Sequence, residues 1–451
     1  MAKKTLSPFR ALYEEEKVLP VIRRSLTFML FGNIFGNLWG TICSGGSTAV
    51  VGLATSMNAE DFHFSMLTAV TQIAALFQIP FSLLVNRTHK RKRYMLTIGL
   101  ASRFLWILVG MIPFFVPEGT INFRVYSLVF LIGLSASMGS VINVSWFPWL
   151  SDLLPDKIQS RWLGGLHMIV SAVNIVGGIV IALLLDYLPP ETKYVIIFLM
   201  GGSFGIIDMI CFGFCKEVYH AEPKKLKILE GFSAVFRDKP FRSFLIYWTV
   251  FNFTSLFQTV YMNPYSMNVM GLSFTQIMIF CNIAGAVSAI LTVQRWGKAI
   301  YRYGTKNVFL IGGIGSTVCT LFYVFSSPGN IWPTFLRHIV GALFWSGTNL
   351  AASNAQLTFS KEEIRPTYIA IFSCVTSLLG SALGSLAAGG VLELFKATGW
   401  FTGWFDSYKA LFVFSVILRF VTLAIFWPTL SNERNRKPMD LVRGILRINR
   451  E

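Results

Sequence analysis

Long apolar stretches recur along the whole chain, and they restrict its fold more than any other feature. Each stretch is long enough to cross about 30 Å of hydrocarbon as an α-helix. With 54% hydrophobic and only 14% charged residues, the 451-residue chain lacks the polar surface of a soluble protein. We therefore predict an all-α membrane protein with twelve spans. The stretches cover residues 26–55, 63–85, 94–116, 123–147, 163–185, 194–214, 243–262, 273–293, 307–327, 331–355, 367–394 and 408–430.

The basic residues are concentrated in alternate connecting segments, and together they give a net charge of +17. This distribution follows the positive-inside rule, so we expect both termini to lie in the cytoplasm, at the plasma (inner) membrane. The basic excess then reflects orientation and attraction to anionic lipid in the bilayer, and we expect no nucleic-acid partner.

The six cysteines show no metal-ligand spacing, so we expect free thiols, no metal site and no cofactor. The first residues are charged and have no signal-peptide core, so the first span is expected to act as the targeting element.

A long polar interruption near the middle of the chain divides the spans into two groups of six. The two ends of the chain mix basic and apolar residues at helical spacing, over 8–24 and 438–450, which suits either an interfacial amphipathic helix or a solvated tail. The predicted organisation is a cytoplasmic arm at 1–24, a six-helix bundle at 25–214, a cytoplasmic linker at 215–241, a second six-helix bundle at 242–430, and a basic cytoplasmic tail at 431–451.

Two polar segments in matching places indicate a duplication. The segment GKAIYRYGTK begins at Gly297, between the eighth and ninth stretches, and a degenerate copy, SLLVNRTHKR, begins at Ser82, between the second and third. A fainter echo aligns residues 138–147 with 344–353 and pairs Asn143 with Asn349. We infer that the two halves are related repeats.

The spacing Gly-x-x-x-[acid]-Arg-x-Gly-x-[Lys/Arg] in these copies resembles the loop between helices two and three of each half of the major facilitator superfamily, a family of solute carriers. The segment from Trp149 to Gly164 is similar to its loop between helices four and five. The resemblance implies two pseudo-symmetric six-helix bundles with a binding site between them near the midplane of the bilayer.

In that superfamily the first of these loops helps to close the cytoplasmic gate. Asn86 and Tyr301 stand where the family has an acid, so Arg87 and Arg302 need other partners, such as Asp152, Asp156 or a helix C-terminus. The gate residues implied by the resemblance are Arg87, Asp152, Arg161, Gly297, Arg302 and Gly304.

Polar residues recur at helical spacing inside several spans, where they are costly unless they face water or the bundle interior. The resemblance implies that spans one, four, seven and ten line the central cavity. Amides beside Trp rings suit a small polar organic solute, although Asn and Ser also hydrogen-bond neighbouring helices. The candidate binding residues are Asn33, Asn37, Asn143, Asn174, Trp248, Asn252, Arg337, Trp345 and Asn349.

Four charged residues lie inside spans. Arg103 and Asp208 lie at similar depth, and we expect a structural ion pair. Arg337 begins the polar face of the tenth span and is the candidate for binding an anionic group of the solute. Arg419 has no evident partner in the sequence.

The predicted function is a secondary transporter that moves a small polar organic solute, such as a sugar or glycoside, by alternating access. A coupling proton or sodium ion would make it a symporter; facilitated diffusion is the other possibility. The fifth span reads Val173-Asn-Ile-Val-Gly-Gly178, without the proline of proton antiporters. Efflux of amphiphilic drugs or metabolites is the alternative, and a nontransporting receptor or scaffold is the alternative class. No catalytic constellation indicates an enzyme, and we expect a monomer.

Overall fold

The structure, a computed structural model, describes residues 13, 18–88, 90–116, 121–154, 156–217, 235–361, 365–431 and 439. Within these ranges the regular structure is helical, apart from one isolated bridge between Ser327 and Asn330. The long helices are α1 (Pro20–Ile42), α2 (Asp61–Val85), α3 (Arg91–Phe115), α4 (Phe123–Leu153), α5 (Arg161–Tyr187), α6 (Lys193–Gly213), α7 (Lys239–Thr259), α8 (Phe274–Tyr303), α9 (Thr305–Phe325), α10 (Trp332–Thr358), α11 (Thr367–Thr398) and α12 (Ser407–Thr429).

Nine of these helices, within the described part of the chain, are long and apolar enough to cross a membrane. The other three, α1, α7 and α10, contain 23, 21 and 27 residues, so they are long enough to span but are more polar. Each long helix coincides with one predicted apolar stretch. The prediction of a multi-pass, all-α membrane fold is confirmed.

The first predicted span was too long. Instead of one helix over 26–55, α1 ends at Ile42 and a separate short helix covers Thr48–Ser56. Ser47 caps the short helix, because its side chain accepts a hydrogen bond from the Val50 N–H. Hydropathy alone did not reveal this break, because the residues on both sides of it are apolar.

The two repeated segments are largely helical rather than loops. α8 continues to Tyr303, and the helical turns at the end of α2 continue past Val85 through Arg87 to Thr88. Gly304 alone connects α8 to α9, with a φ of 87° that favours glycine. A helix keeps its internal hydrogen bonds beyond the apolar core, so the polar ends of these spans stay helical.

The chain forms two compact units. The first comprises Met1–Ala59 and Ala74–Lys225, and the second comprises Glu60–Ile73 and Leu226–Glu451. The helix α2 is therefore shared, and it changes to 3₁₀ geometry at Ala74–Phe77, where it passes from one unit to the other.

Each unit has its own core of large side chains. In the first, Trp149 and Trp162 are fully buried, and Trp162 donates a hydrogen bond to the Tyr13 hydroxyl at 2.9 Å. In the second, Phe244 stacks on Phe372 with ring centroids 5.1 Å apart, and Tyr368 contacts Phe241 edge to face.

All six cysteines are free thiols. Cys215, just beyond α6, is buried, and burial raises the pKa of its thiol to about 12. Such a thiol stays protonated and unreactive at neutral pH. The amphipathic-helix predictions for 8–24 and 438–450 fall mostly outside the described residues.

Candidate functional site

The two amides paired by the sequence repeat have matching surroundings. Asn143 on α4 and Asn349 on α10 are both exposed, although both lie within apolar stretches. In each helix a serine precedes the amide by three residues, and its hydroxyl donates a hydrogen bond to a backbone carbonyl. Ser140 donates to the Ser137 carbonyl at 2.7 Å, and Ser346 donates to the Leu343 carbonyl at 2.9 Å. An exposed amide at hydrocarbon depth is costly unless it faces water. These two positions therefore mark a polar face.

An aromatic stack joins α7 to α10 in the second unit. The rings of Trp248 and Trp345 lie 6.4 Å apart at an interplanar angle of 25°, and Phe251 stacks on Trp345 at 6.2 Å. Trp248 is buried, whereas Trp345 is partly exposed and lies one helical turn before Asn349. A flat apolar surface therefore lies next to an exposed amide.

Three of the other candidate amides form hydrogen bonds within their own helices. Asn33, Asn37 and Asn252 each donate to the carbonyl four residues earlier, at 2.8 Å, which leaves the amide oxygen and the second N–H for a ligand. Asn174 on α5 instead has a buried amide oxygen without a hydrogen-bond partner. An acceptor oxygen is therefore the common feature of this set.

One predicted gate residue of the first unit forms an ion pair with an arginine outside the predicted set. Asp152, at the end of α4, pairs with Arg91 at 2.9 Å, and the Arg91 guanidinium also lies over the Trp149 ring. Arg87 and Arg302 are exposed. Arg91, in the first turn of α3, is thus an Asp152 partner that the sequence did not indicate, and pairing of Asp152 with Arg87 or Arg302 stays a prediction.

The remaining gate residues differ in their surroundings. A Cβ added to Gly297 would make only ordinary contact with Leu350 at 3.8 Å, so close helix approach does not require this glycine here. Gly304 is required for its positive φ. Arg161 is exposed at the start of α5.

Arg103 and Asp208 form a buried ion pair in the first unit, with guanidinium nitrogen and carboxylate oxygen 3.2 Å apart. Both side chains are almost completely buried, and the Arg103 guanidinium lies 3.4 Å from the centroid of the Trp39 ring. Gly36 permits this arrangement, since an added Cβ there would lie 3.0 Å from an Asp208 oxygen.

Arg337, which is partly exposed, and Arg419, which is almost completely buried, take part in one polar network in the second unit, which we call the two-arginine network. Arg419 on α12 donates to the Ser316 hydroxyl at 2.8 Å and to the Thr320 hydroxyl at 3.4 Å. With its amide oxygen turned toward Arg337, Gln258 accepts from that guanidinium and donates to Thr320. The sequence patterns singled out both arginines but missed the residues that connect them.

A second cluster that sequence reasoning missed holds the first half of α2 in the second unit. Asp61 accepts hydrogen bonds from Lys396, at the end of α11, and from the Tyr408 hydroxyl on α12. Ser65 bonds the Tyr261 hydroxyl at 2.8 Å. Asp61 lies at the edge of an apolar stretch, where an acid is unremarkable, so only the fold reveals its partners.

The described residues contain no group of three or more His, Cys, Asp or Glu side chains that could hold a metal ion. The arrangement offers amide oxygens, aromatic faces and guanidinium groups, which are groups that bind an organic solute.

Comparison with known proteins gives a family match. The family model described as Major Facilitator Superfamily matches residues 38–385. No curated protein matches the sequence.

Solved transporters share the fold at low sequence identity. The structure of a point mutant of the nucleoside transporter NupG superposes with a TM-score of 0.69 at 13% identity and covers 90% of this chain and 100% of its own. A bacterial homolog to the human lysosomal transporter Spinster gives 0.70 at 14% identity, covering 91% and 97%. A D-xylose-proton symporter gives 0.68 at 11% identity, covering 92% and 100%.

Proposed function

Because the chain belongs to the major facilitator superfamily and is therefore a membrane transporter, we propose that it is a secondary carrier that moves a small polar organic solute by alternating access between two six-helix bundles. The neighbours of known structure include carriers of nucleosides and of D-xylose. They also include a bacterial metal transporter and a transporter in complex with a conjugated peptide, so the neighbours agree with transport and do not favour one solute class.

The observation that carries the proposal is the pair of exposed amides, Asn143 and Asn349, at equivalent places in the two repeats. An amide offers one donor and one acceptor group, so it recognises hydroxyl and amide groups of a solute. The partly exposed Trp345 adds a flat face on which a sugar or base ring can stack.

The relative polarity of the helices supports the same placement of the solute. The helices α1, α7 and α10 are the three long helices that are more polar than the rest. A helix that lines a water-filled pathway tolerates polar side chains that a lipid-facing helix does not. We infer that these helices and α4 line the solute pathway.

Orientation and coupling complete the proposal. The alternate basic segments favour cytoplasmic termini in the plasma (inner) membrane, and coupling to a proton or sodium ion would make the carrier a symporter. Efflux of amphiphilic compounds is the second candidate, because the aromatic stack around Trp345 offers an adaptable apolar surface.

Replacing Asn349 with Ala is expected to weaken solute binding about tenfold with little loss of folded protein, because it removes a ligand-facing hydrogen bond from an exposed position. The measurement is the solute-dependent rise in unfolding temperature of the purified protein, with the solute first found in a library screen. Asn307→Ala is the control.

The Asn307 amide is buried and donates to the Tyr303 carbonyl at 2.9 Å. Its replacement should lower stability without changing solute affinity. Unchanged affinity in Asn349→Ala, or loss of monodisperse protein in that variant, would identify Asn349 as a packing residue and count against the proposed site.

A further inference from the structure

The two-arginine network contains two positive charges and only neutral hydrogen-bond partners. Arg419 is 2% exposed, and Gln258, Thr320 and Ser316 are each at most 5% exposed. In the part of the chain that the structure describes, no carboxylate pairs with Arg337 or Arg419. Buried charges in membrane proteins are normally paired, because removing an ion from water costs several kcal/mol.

The first unit shows what a compensated arginine looks like in the same chain. Arg103 on α3 pairs with Asp208 on α6 at 3.2 Å. In the second unit, Arg419 on α12 instead donates to two neutral side chains of α9, Ser316 and Thr320. One unit therefore supplies its own counter-charge, and the other does not.

The two arginines of the second unit differ in exposure, because Arg337 is partly exposed and Arg419 is almost completely buried. The Arg337 guanidinium carbon lies 3.7 Å from where a Cβ on Gly341 would be, one turn further into the span. Arg337 therefore extends along α10 into the membrane rather than back toward the helix end. The Nε–H of Arg419 is buried and has no hydrogen-bond partner, as is also true of the Nε–H of the paired Arg103, so the network retains an unused donor.

We propose that Arg337 and Arg419 together bind an oxyanion group, a carboxylate or phosphate, in the second unit. A guanidinium presents several N–H donors in a plane that matches two oxygens of such a group. Gln258 and Thr320 link the two arginines, so they hold them at a fixed spacing. The inference rests on the proposed carrier function in assigning this group to the solute; a resident inorganic anion has the same chemistry.

Binding is tested on the full-length protein in detergent, with inorganic phosphate and acetate as probes. At constant ionic strength against a bulky sulfonate buffer, both probes should raise the unfolding temperature in a saturable way. Arg337→Gln and Arg419→Gln should weaken the apparent affinity about 10- to 100-fold. Thr320→Val keeps both charges but breaks their link, and it should weaken affinity less.

The matched control is Arg124→Gln. Arg124 caps the end of α3, donating to the Val116 carbonyl at 2.8 Å, and lies in the first unit. It should keep the wild-type response to both probes. The absence of any anion-dependent shift in the wild-type protein, or equal shifts in all four variants, would overturn the proposal.

The unfolding temperature in anion-free buffer gives an independent test, because replacing an arginine in the first unit and in the second unit should change it in opposite directions. Arg419→Gln removes an uncompensated charge and should raise the unfolding temperature in anion-free buffer. Arg103→Gln leaves Asp208 buried without its counter-charge and should lower the unfolding temperature. A decrease in Arg419→Gln as large as that in Arg103→Gln would show that neutral partners satisfy Arg419, and would contradict the proposal.

The source of the anionic group is tested in proteoliposomes loaded with labelled phosphate. If labelled phosphate exchanges through the wild-type protein and no longer exchanges through Arg419→Gln, the anionic group belongs to the solute. Phosphate that binds without exchange, while another solute is exchanged, overturns that assignment. Binding with no exchange of any solute leaves the anion site intact and contradicts the carrier function instead.

Discussion

Replacing Asp208 with Asn is expected to destabilise the protein by about 3–5 kcal/mol, because the substitution leaves the buried Arg103 without its counter-charge. The guanidinium cannot reach water, since both side chains are almost completely buried. Its contact with the Trp39 ring offsets only part of the loss. The measurement is the free energy of unfolding in detergent, with the yield of monodisperse protein as a second readout.

The double variant Arg103→Met/Asp208→Leu separates a structural pair from a transport site. Replacing a buried ion pair by apolar side chains of similar volume is often neutral or stabilising. We therefore expect the double variant to be at least as stable as Asp208→Asn and to keep wild-type solute exchange. A double variant that folds but no longer exchanges solute would show that the pair takes part in transport.

Replacing Gly389 with Ala is expected to disfavour the packing of α2 on α11 by about 1–3 kcal/mol. An added Cβ at Gly389 would lie 2.7 Å from Phe62 and from the Ser65 hydroxyl, and 2.9 Å from the Ser65 Cβ. The first half of α2 would have to shift away from α11. A change of this size alters the balance between two conformations roughly 5- to 150-fold.

The readout is alkylation of a cysteine introduced as Ser65→Cys, since Ser65 is fully buried in this conformation. Labelling at position 65 should rise in the Gly389→Ala background. Gly390→Ala, one residue further along the same helix, meets no atom within 4 Å and should leave labelling unchanged. Equal labelling in the two backgrounds would contradict the inferred role of this packing.

This packing matters for the proposed mechanism because α2 is divided between the two units. Its first half is held in the second unit by Asp61 and Ser65, while its second half belongs to the first. We expect these contacts within the second unit to form in one state of the proposed carrier and to break in another. Asp61 and Lys396 suit this role, because the Lys396 side chain is 48% exposed and such pairs are weak.

Most of the fold was predictable because hydropathy is a strong, local signal. Each of the twelve predicted apolar stretches coincides with a long helix in the described part of the chain, and the family assignment followed from short motifs in the right order. Hydropathy did not predict where a helix ends when that end lies in polar sequence. The residues from Gly297 to Tyr303 are helical because each residue added to a helix that has already formed gains a backbone hydrogen bond.

The site was less predictable because partner choice is a tertiary property. The depth of Arg103 and Asp208 along their spans suggested a pair, which the structure places at 3.2 Å. Asp152 offered several arginines within reach, and spacing alone did not favour Arg91 over Arg87. Gln258 lies among the polar residues of α7, yet nothing in the sequence shows that it links Arg337 to Thr320.

The most direct test of the central claim is counterflow in liposomes that contain the purified protein. Vesicles are loaded with excess unlabelled solute, taken from the binding screen, and diluted into a trace of labelled solute. A carrier that works by alternating access predicts a transient accumulation of label that exceeds equilibrium and then decays, and that Asn349→Ala reduces. Binding of the solute without any counterflow would contradict the account.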